Sequence, residues 1–194
     1  MLSLRYLQTL VISSLFAISG VVAQEQVHEH DHENDHEYGH EYGHEQHAAH
    51  VHGHAKLLVA VEGGVIEMMF ETPAMNLLGF EHEPETPEQL SRVEQVLSEL
   101  HKPEQLFTIP SSAACKLSKT EIEAPFQKNG TDGQHSDYFA RYRFECGNPE
   151  EIQQISVHLL RRFPLTESLE VQSISPSGQK AFELTSGNNN IPLK

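Results

Sequence analysis

Between Ala55 and Glu71, apolar and polar residues alternate on either side of Gly63-Gly64, and that pattern leaves the segment little choice of fold. A period of two marks a half-buried strand, and two glycines supply the positive φ angles of a two-residue hairpin turn. Folding the strands about that turn sets Val61 against Ile66, Val59 against Met68 and Leu57 against Phe70. All six side chains then share one face, because neighbours along a strand point in opposite directions. That face is the expected core, and Met68 and Met69 are read as apolar filling, not as soft-metal ligands.

Later segments carry equally local signals. Pro73–Phe80 suits a short helical turn. Thr86, Pro87 and Gln89 form a capping box with proline at the first helical position, and Leu90, Val93, Leu97 and Leu100 recur on one stripe until Pro103. Leu106 and Phe107 are expected to tuck back onto the core. Tyr138, Ala140, Tyr142, Phe144 and Cys146 alternate with polar neighbours, which predicts a second hairpin of Cys115–Ala124 with Asp137–Cys146. Setting Cys115 opposite Cys146 centres that hairpin between Gly130 and Thr131, inside an Asn-Gly-Thr-Asp-Gly loop, and lets a disulfide close its open ends. Asn148-Pro149-Glu150-Glu151 reads as the N-cap of a short helix. Ile155–Leu160 fits strand or helix, and Leu169–Ile174 with Ala181–Leu184 forms a last hairpin around Pro176-Ser177-Gly178. The expected class is α+β: an antiparallel β-sheet built from hairpins, with helices packed on one face.

The first part of the chain reads differently. Arg5 precedes an apolar stretch from about Leu10 to Val22 that ends in Val-Val-Ala at 21–23, the layout of a secretory signal peptide over residues 1–23. Its serines at 13, 14 and 19 and its length argue against a spanning helix, which needs about 20 apolar residues. An uncleaved anchor is the alternative that a single Arg5 leaves open. Residues 24–49 lack any hydrophobic pattern and are expected to be a disordered tail. The domain is expected over 50–187, with 188–194 a frayed C-terminus. Export also bears on the two cysteines: an oxidising compartment favours a Cys115–Cys146 disulfide, and their spacing is unlike a metal-binding Cys-x-x-Cys knuckle.

Ten of the fourteen histidines fall between His28 and His54, interleaved with Glu29, Asp31, Glu33, Asp35, Glu37, Glu41 and Glu45 and free of any base before Lys56. Neutral imidazole is the commonest protein metal ligand, and carboxylates add hard oxygen donors. In the tail, His28, His32, His36, His40 and His44 keep a strict spacing of four, which would stack imidazoles on one helix face. Gly39 and Gly43 disfavour a preformed helix. His30 and His47 add further weak ligands.

His50-Val51-His52-Gly53-His54 is the stronger constellation. On extended backbone His50, His52 and His54 would share one side, and zinc's preference for four N, O or S ligands then calls for a donor from elsewhere. His82, with Glu81 or Glu83 supplying oxygen, and His135, near Asp132 and Asp137, are the candidates. His101 is read as a structural residue at a helix C-terminus, and His158 as a satisfied core histidine. Zinc leads as the cation, with Ni2+, Cu2+ or Co2+ able to occupy such ligands in vitro.

Twenty-eight acids against 13 bases, a net charge of −15, disfavour nucleic acid and anionic membranes as partners and favour cations. His-Glu-x-x-His recurs only within the tail repeats from His28 to His44 and is absent from the expected domain, and no Gly-x-Ser-x-Gly or phosphate-cradling glycine loop occurs, so a non-enzymatic protein is expected. An enzyme would instead need an open-coordinated zinc beside a general base.

Ala-His-Val-His-Gly (49–53), Pro-Ala-Met-Asn-Leu-Leu-Gly-Phe-Glu-His (73–82), His-Ser-Asp-Tyr (135–138), Tyr-Arg-Phe-Glu-Cys (142–146) and Arg-Phe-Pro (162–164) stand in that order. Together they resemble the zinc-regulated periplasmic proteins of Gram-negative bacteria, the ZrgA-like family, over about residues 49–185. The resemblance implies a periplasmic zinc-binding accessory protein, made under zinc starvation and supporting uptake through a zinc transporter. His50 and His52 match the family's opening motif, His82 its Gly-Phe-Glu-His motif and His135 the histidine before its second-hairpin strand. Relatives often carry further histidines in that hairpin loop, whereas residues 125–134 here have none. The competing account is a metal buffer or detoxification protein with no transporter partner. A transporter's principal solute-binding protein fits less well, because that fold usually needs two lobes. Because imidazole must be neutral to coordinate, bound zinc should be lost as pH falls through about 6.5. A zinc-content titration from pH 7.5 to 5 checks this, and zinc retained at pH 5 would show that imidazole does not dominate.

Overall fold

Strand pairing in the chain radiates from the Gly63-Gly64 hairpin. The computed structural model describes residues 51–126 and 136–194, all within the unit Gln46–Lys194. The expected leader over 1–23, the tail over 24–49 with its histidines, His50 and His135 lie outside the described residues. In chain order the elements begin with strands β1 (His54–Glu62) and β2 (Val65–Pro73), then helices α1 (Ala74–Leu78), α2 (Pro87–Leu100) and α3 (Pro103–Leu106). Strands β3 (Phe107–Thr108), β4 (Cys115–Glu123), β5 (Asp137–Cys146) and β6 (Gln154–Val157) follow. Helix α4 (Leu159–Arg162) precedes β7 (Ser168–Ser175), β8 (Gly178–Leu184) and β9 (Asn190–Pro192). Single 3-10 turns occupy Ser111–Ala113 and Pro149–Glu151. Among the described residues no helix is long and apolar enough to cross a membrane.

Gly63 and Gly64 take φ values of 54° and 84°, as a type I′ turn requires. The hairpin pairs Val61 with Ile66, Val59 with Met68 and Leu57 with Phe70, the register that the alternation demands. The turn also docks sideways: Cys146 N donates to Gly64 O at 2.7 Å. Beyond it the main sheet runs in the order β4-β5-β2-β1-β7-β8. Leu57, Val59, Ile66, Met68, Phe70, Tyr138, Ala140 and Tyr142 line its buried face.

Two features correct the expected architecture. The sheet is not wholly antiparallel, because β1 pairs β7 in parallel, from His54↔Ser168 to Ala60↔Ile174. A parallel neighbour needs a long crossover, and alternation within a strand carries no information about which distant strand will lie beside it. Nor do helices alone cover the buried face. A second, antiparallel sheet in the order β3-β6-β9 shares that duty. Phe107 sets its ring edge to Tyr142 with centroids 5.7 Å apart, and the Tyr142 hydroxyl donates to Leu100 O of α2 at 2.8 Å. Burial pushes the Tyr142 phenol well above its ordinary value. Tyr138, likewise buried, is pushed up to about 12 against the opposing charge of Arg92.

The C-terminal run expected to fray is part of this second sheet. Ile191 and Leu193 are 0% and 3% exposed, β9 pairs β6, and Leu193 N donates to Gln153 O at 2.9 Å. Two apolar residues at alternate positions are enough to hold a three-residue strand once a neighbour exists. In α2 the capping box of Thr86 and Gln89 is present. The stripe facing the core, however, is the buried Val96 and Leu100 with the partly buried Val93 and Leu97, and Leu90 is 52% exposed. Asn148 does not cap the Pro149–Glu151 turn; its amide donates instead to Ser112 O at 2.7 Å. The ambiguous segment 155–160 divides between β6 and α4.

The second hairpin places Cys115 opposite Cys146, and the two form a disulfide. After Leu117↔Phe144 the register slips by one, to Lys119↔Arg143, as Ser118 bulges and donates its hydroxyl to Arg143 O at 3.1 Å. On the outer face of the sheet, ion pairs join Arg141 to Glu123, Arg143 to Glu67 and Lys119 to Glu121. Exposed pairs of this kind contribute about 0–1 kcal/mol each. Each fully buried Leu, Ile or Phe contributes about 1.5–3 kcal/mol, so the inner face dominates stability.

The disulfide joins residues 31 apart in sequence, and closing a loop of that length restricts the unfolded chain by about 2–4 kcal/mol. Replacing both cysteines by serine should lower the unfolding free energy in urea by that amount. An unchanged midpoint would mean that hairpin pairing alone holds the two ends.

Candidate metal centre

His52 sits on a turn, and His54 opens β1 immediately after it. Gly53 has φ 81°, and His54 N donates to Val51 O at 3.2 Å. The premise that would align His50, His52 and His54 along one side therefore fails at Gly53, and His52 and His54 find different partners. The His52 ring, 53% exposed, brings Nε2 to 3.0 Å from Oε2 of Glu81. His54 Nδ1 lies 2.7 Å from the Ser168 hydroxyl across the β1–β7 pair.

This turn is held rigidly. Gly53 O accepts from Glu167 N at 2.7 Å and from Ser168 N at 3.0 Å, while Gly53 N donates to Asn76 Oδ1 at 2.8 Å. Glycine is needed twice over. Its φ lies in the left-handed region, and a Cβ here would meet the Glu167 side chain at 3.3 Å. Helix α1 provides the other half of the site. Its last N–H bond runs from Gly79 to Met75 O at 2.9 Å, and the chain leaves it through Phe80 to Glu81 and His82.

Glu81 is 28% exposed, and its second oxygen, Oε1, is shielded from solvent with no hydrogen-bond partner among the described residues. His82 is exposed, packs its ring against Phe80 with centroids 5.2 Å apart, and sets Nδ1 2.8 Å from Glu83 O. Since a carbonyl can only accept, that bond places the proton on Nδ1 and leaves the Nε2 lone pair free. This is how a backbone carbonyl orients a metal-ligating imidazole. Around these groups lie five of the six buried polar side chains among the described residues: Thr72, Asn76, Asp137, Thr166 and Ser168. All belong to the end of the sheet where β1 and β7 begin and β2 finishes. Buried polar groups cost free energy unless satisfied, so their concentration at one end marks a place where packing has yielded to another requirement.

Of the sequence-derived residues, His52 meets Glu81, His82 adjoins it in the chain, and His54 is turned to Ser168. His50 and His135 lie outside the described residues, although Ser136, which follows His135, accepts a bond from Ala74 N at 2.6 Å. Among the described residues no three His, Cys, Asp or Glu side chains converge on one metal-sized position. The other two histidines among the described residues are engaged elsewhere. His101 ends α2 with Nδ1 2.8 Å from Leu97 O. His158 is half-buried with Nε2 2.8 Å from the Thr108 hydroxyl, and its pKa is lowered by burial and by Arg161 and Arg162. Asn76, Glu167 and Ser168 were not singled out by the sequence. The one available signal was a lone amide inside the apolar segment Ala74–Leu78.

A broad concavity of about 830 Å3 opens instead on the outer sheet face, over Leu58, Met69 and Ile174, and neither His52, His54, Glu81 nor His82 lines it. Nitrogen and carboxylate oxygen on a fixed scaffold are donors suited to a borderline cation such as zinc. The family model described as ZrgA family zinc uptake protein matches residues 49–193, so the chain belongs to the ZrgA family of zinc uptake proteins. That match takes in β9 as well as the motifs at 49–53 and 73–82. No curated protein matches the chain.

Replacing Gly53 by alanine forces a side chain into left-handed backbone and against Glu167. Urea unfolding should register a loss of about 1–2 kcal/mol; unaltered stability would show that the turn adapts freely.

Proposed function

We propose that this protein captures zinc in the periplasm and supports its uptake as an accessory to a zinc transporter. The observation that carries the reading is the His52–Glu81 pair, set 3.0 Å apart on a braced turn and at the exit of α1, in a chain whose family is one of zinc uptake proteins. His82 offers a free Nε2 two residues from the Phe80 ring, beside Glu81 in the chain. His54, His50 and His135 are the further imidazoles from which a tetrahedral set would be completed.

The histidines at 28, 30, 32, 36, 40, 44 and 47 act in this reading as a second, weaker grade of site. They collect zinc by fast exchange and raise its concentration near the domain. Export by the N-terminal leader places both grades where zinc first enters a Gram-negative cell, and cleavage after Ala23 frees the chain from the membrane. The work performed is binding and release, with no catalytic step.

Pure buffering without a partner is the competing account, and membership of an uptake family speaks for delivery. The two part in cells. Deleting the gene should lower zinc accumulation during zinc limitation, and a copy carrying His52→Ala should not restore it. Normal accumulation combined with heightened sensitivity to excess zinc would favour buffering.

A further inference from the structure

Two donor groups that arise from separate segments need something to set their separation, and among the described residues one buried amide bonds directly to the backbone of the His52 turn. Asn76, on α1, is 1% exposed. Its Oδ1 accepts from Gly53 N at 2.8 Å, and its Nδ2 donates to His54 O at 2.8 Å and to the Thr72 hydroxyl at 3.0 Å. Both N–H groups and the carbonyl are therefore spent on fixing the turn that carries His52 and on tying that turn to β2. The residue bonded through its N–H is the immediate neighbour of His52. The helix that carries the amide delivers Glu81 five residues later.

We propose that Asn76 is a positioning residue for the zinc site, holding the His52 turn against α1 so that His52 and Glu81 meet before any ion arrives. The proposal rests on the reading of His52 and Glu81 as zinc donors. Its physical basis is that a site arranged in advance loses no binding free energy to ordering its ligands, and that groups behind a ligand commonly change metal affinity 10–100-fold. Asn76 does not touch the ion. Removing its amide takes the side-chain partner from the buried Gly53 N–H and from the part-buried His54 C=O, so the turn relaxes toward water and His52 leaves Glu81. Asn76 differs from the neighbouring core residues in this respect: Leu77 and Leu78 fill space, whereas the amide fixes two chain segments in register.

A merely structural amide would also destabilise the fold when removed, so the deciding measurement is a double-mutant cycle. Zinc affinity would be measured by chelator competition on the full-length product purified after export, as wild type, Asn76→Ala, His52→Ala and the double variant, with Tm recorded for each. The expected result is a roughly 10–100-fold weakening of the tightest site by Asn76→Ala and no further weakening when His52 is already alanine. Equal weakening in both backgrounds, or none in a folded Asn76→Ala protein, overturns the proposal. Should Asn76→Ala fail to fold, Thr72→Val removes one acceptor of the same amide at similar volume. It should shift affinity in the same direction, again only while His52 is present. If His52→Ala leaves the tightest site unchanged, the zinc-site reading itself is wrong, and the positioning role falls with it.

Discussion

Strand β1 is bonded along both edges, to β2 in antiparallel and to β7 in parallel sense, while Leu57 and Val59 are sealed on its inner side. A strand paired on both sides and buried on one face cannot shift its register without exposing every apolar side chain it carries. The remaining elements are placed relative to this fixed line. β2 carries β5 and the disulfide-closed β4, and β7 carries β8. The second sheet and α2 close over the apolar face that these strands present together.

The same constraint explains where chemistry becomes possible. At its first residue β1 is already clamped between Ser168 on β7 and, through the backbone, Asn76 on α1. The turn immediately before it therefore inherits the rigidity of the sheet, while its side chains stand at the rim where an ion can reach them. A tight cation site favours this combination, since ligands in the core would have to be stripped of water and ligands on a free loop would have to be ordered at binding. The buried polar residues gathered there replace apolar packing that the centre of the sheet retains, so in the proposed reading stability and zinc binding fall to two regions of one sheet.

Legibility followed the range of the interaction. The first hairpin, its register, the capping box of α2 and the Cys115–Cys146 closure could all be read, because each depends on spacing within a short stretch. The parallel β1–β7 pairing and the strand at Asn190–Pro192 could not, because each is created by a neighbour that arrives from far along the chain. The bulge at Ser118 lies between: the cysteines set the register at one end of the hairpin, and nothing local announced the slip. For the site, the histidines were visible as residue types, but their arrangement was inferred from an extended backbone that Gly53 interrupts.

By itself the sequence determined the donor chemistry, the acidic and imidazole-rich character, the hairpins and the face that each strand buries. All of these follow from residue type and periodicity, which need no partner to be defined. Tertiary structure alone decided which donors meet. His52 and Glu81 are 29 residues apart and come together because Asn76 fastens one segment to the other, while His54, two residues from His52, is turned away to Ser168. Proximity in sequence brings groups together only where the backbone is regular. Across a left-handed turn and a helix exit, packing and buried hydrogen bonds make that choice.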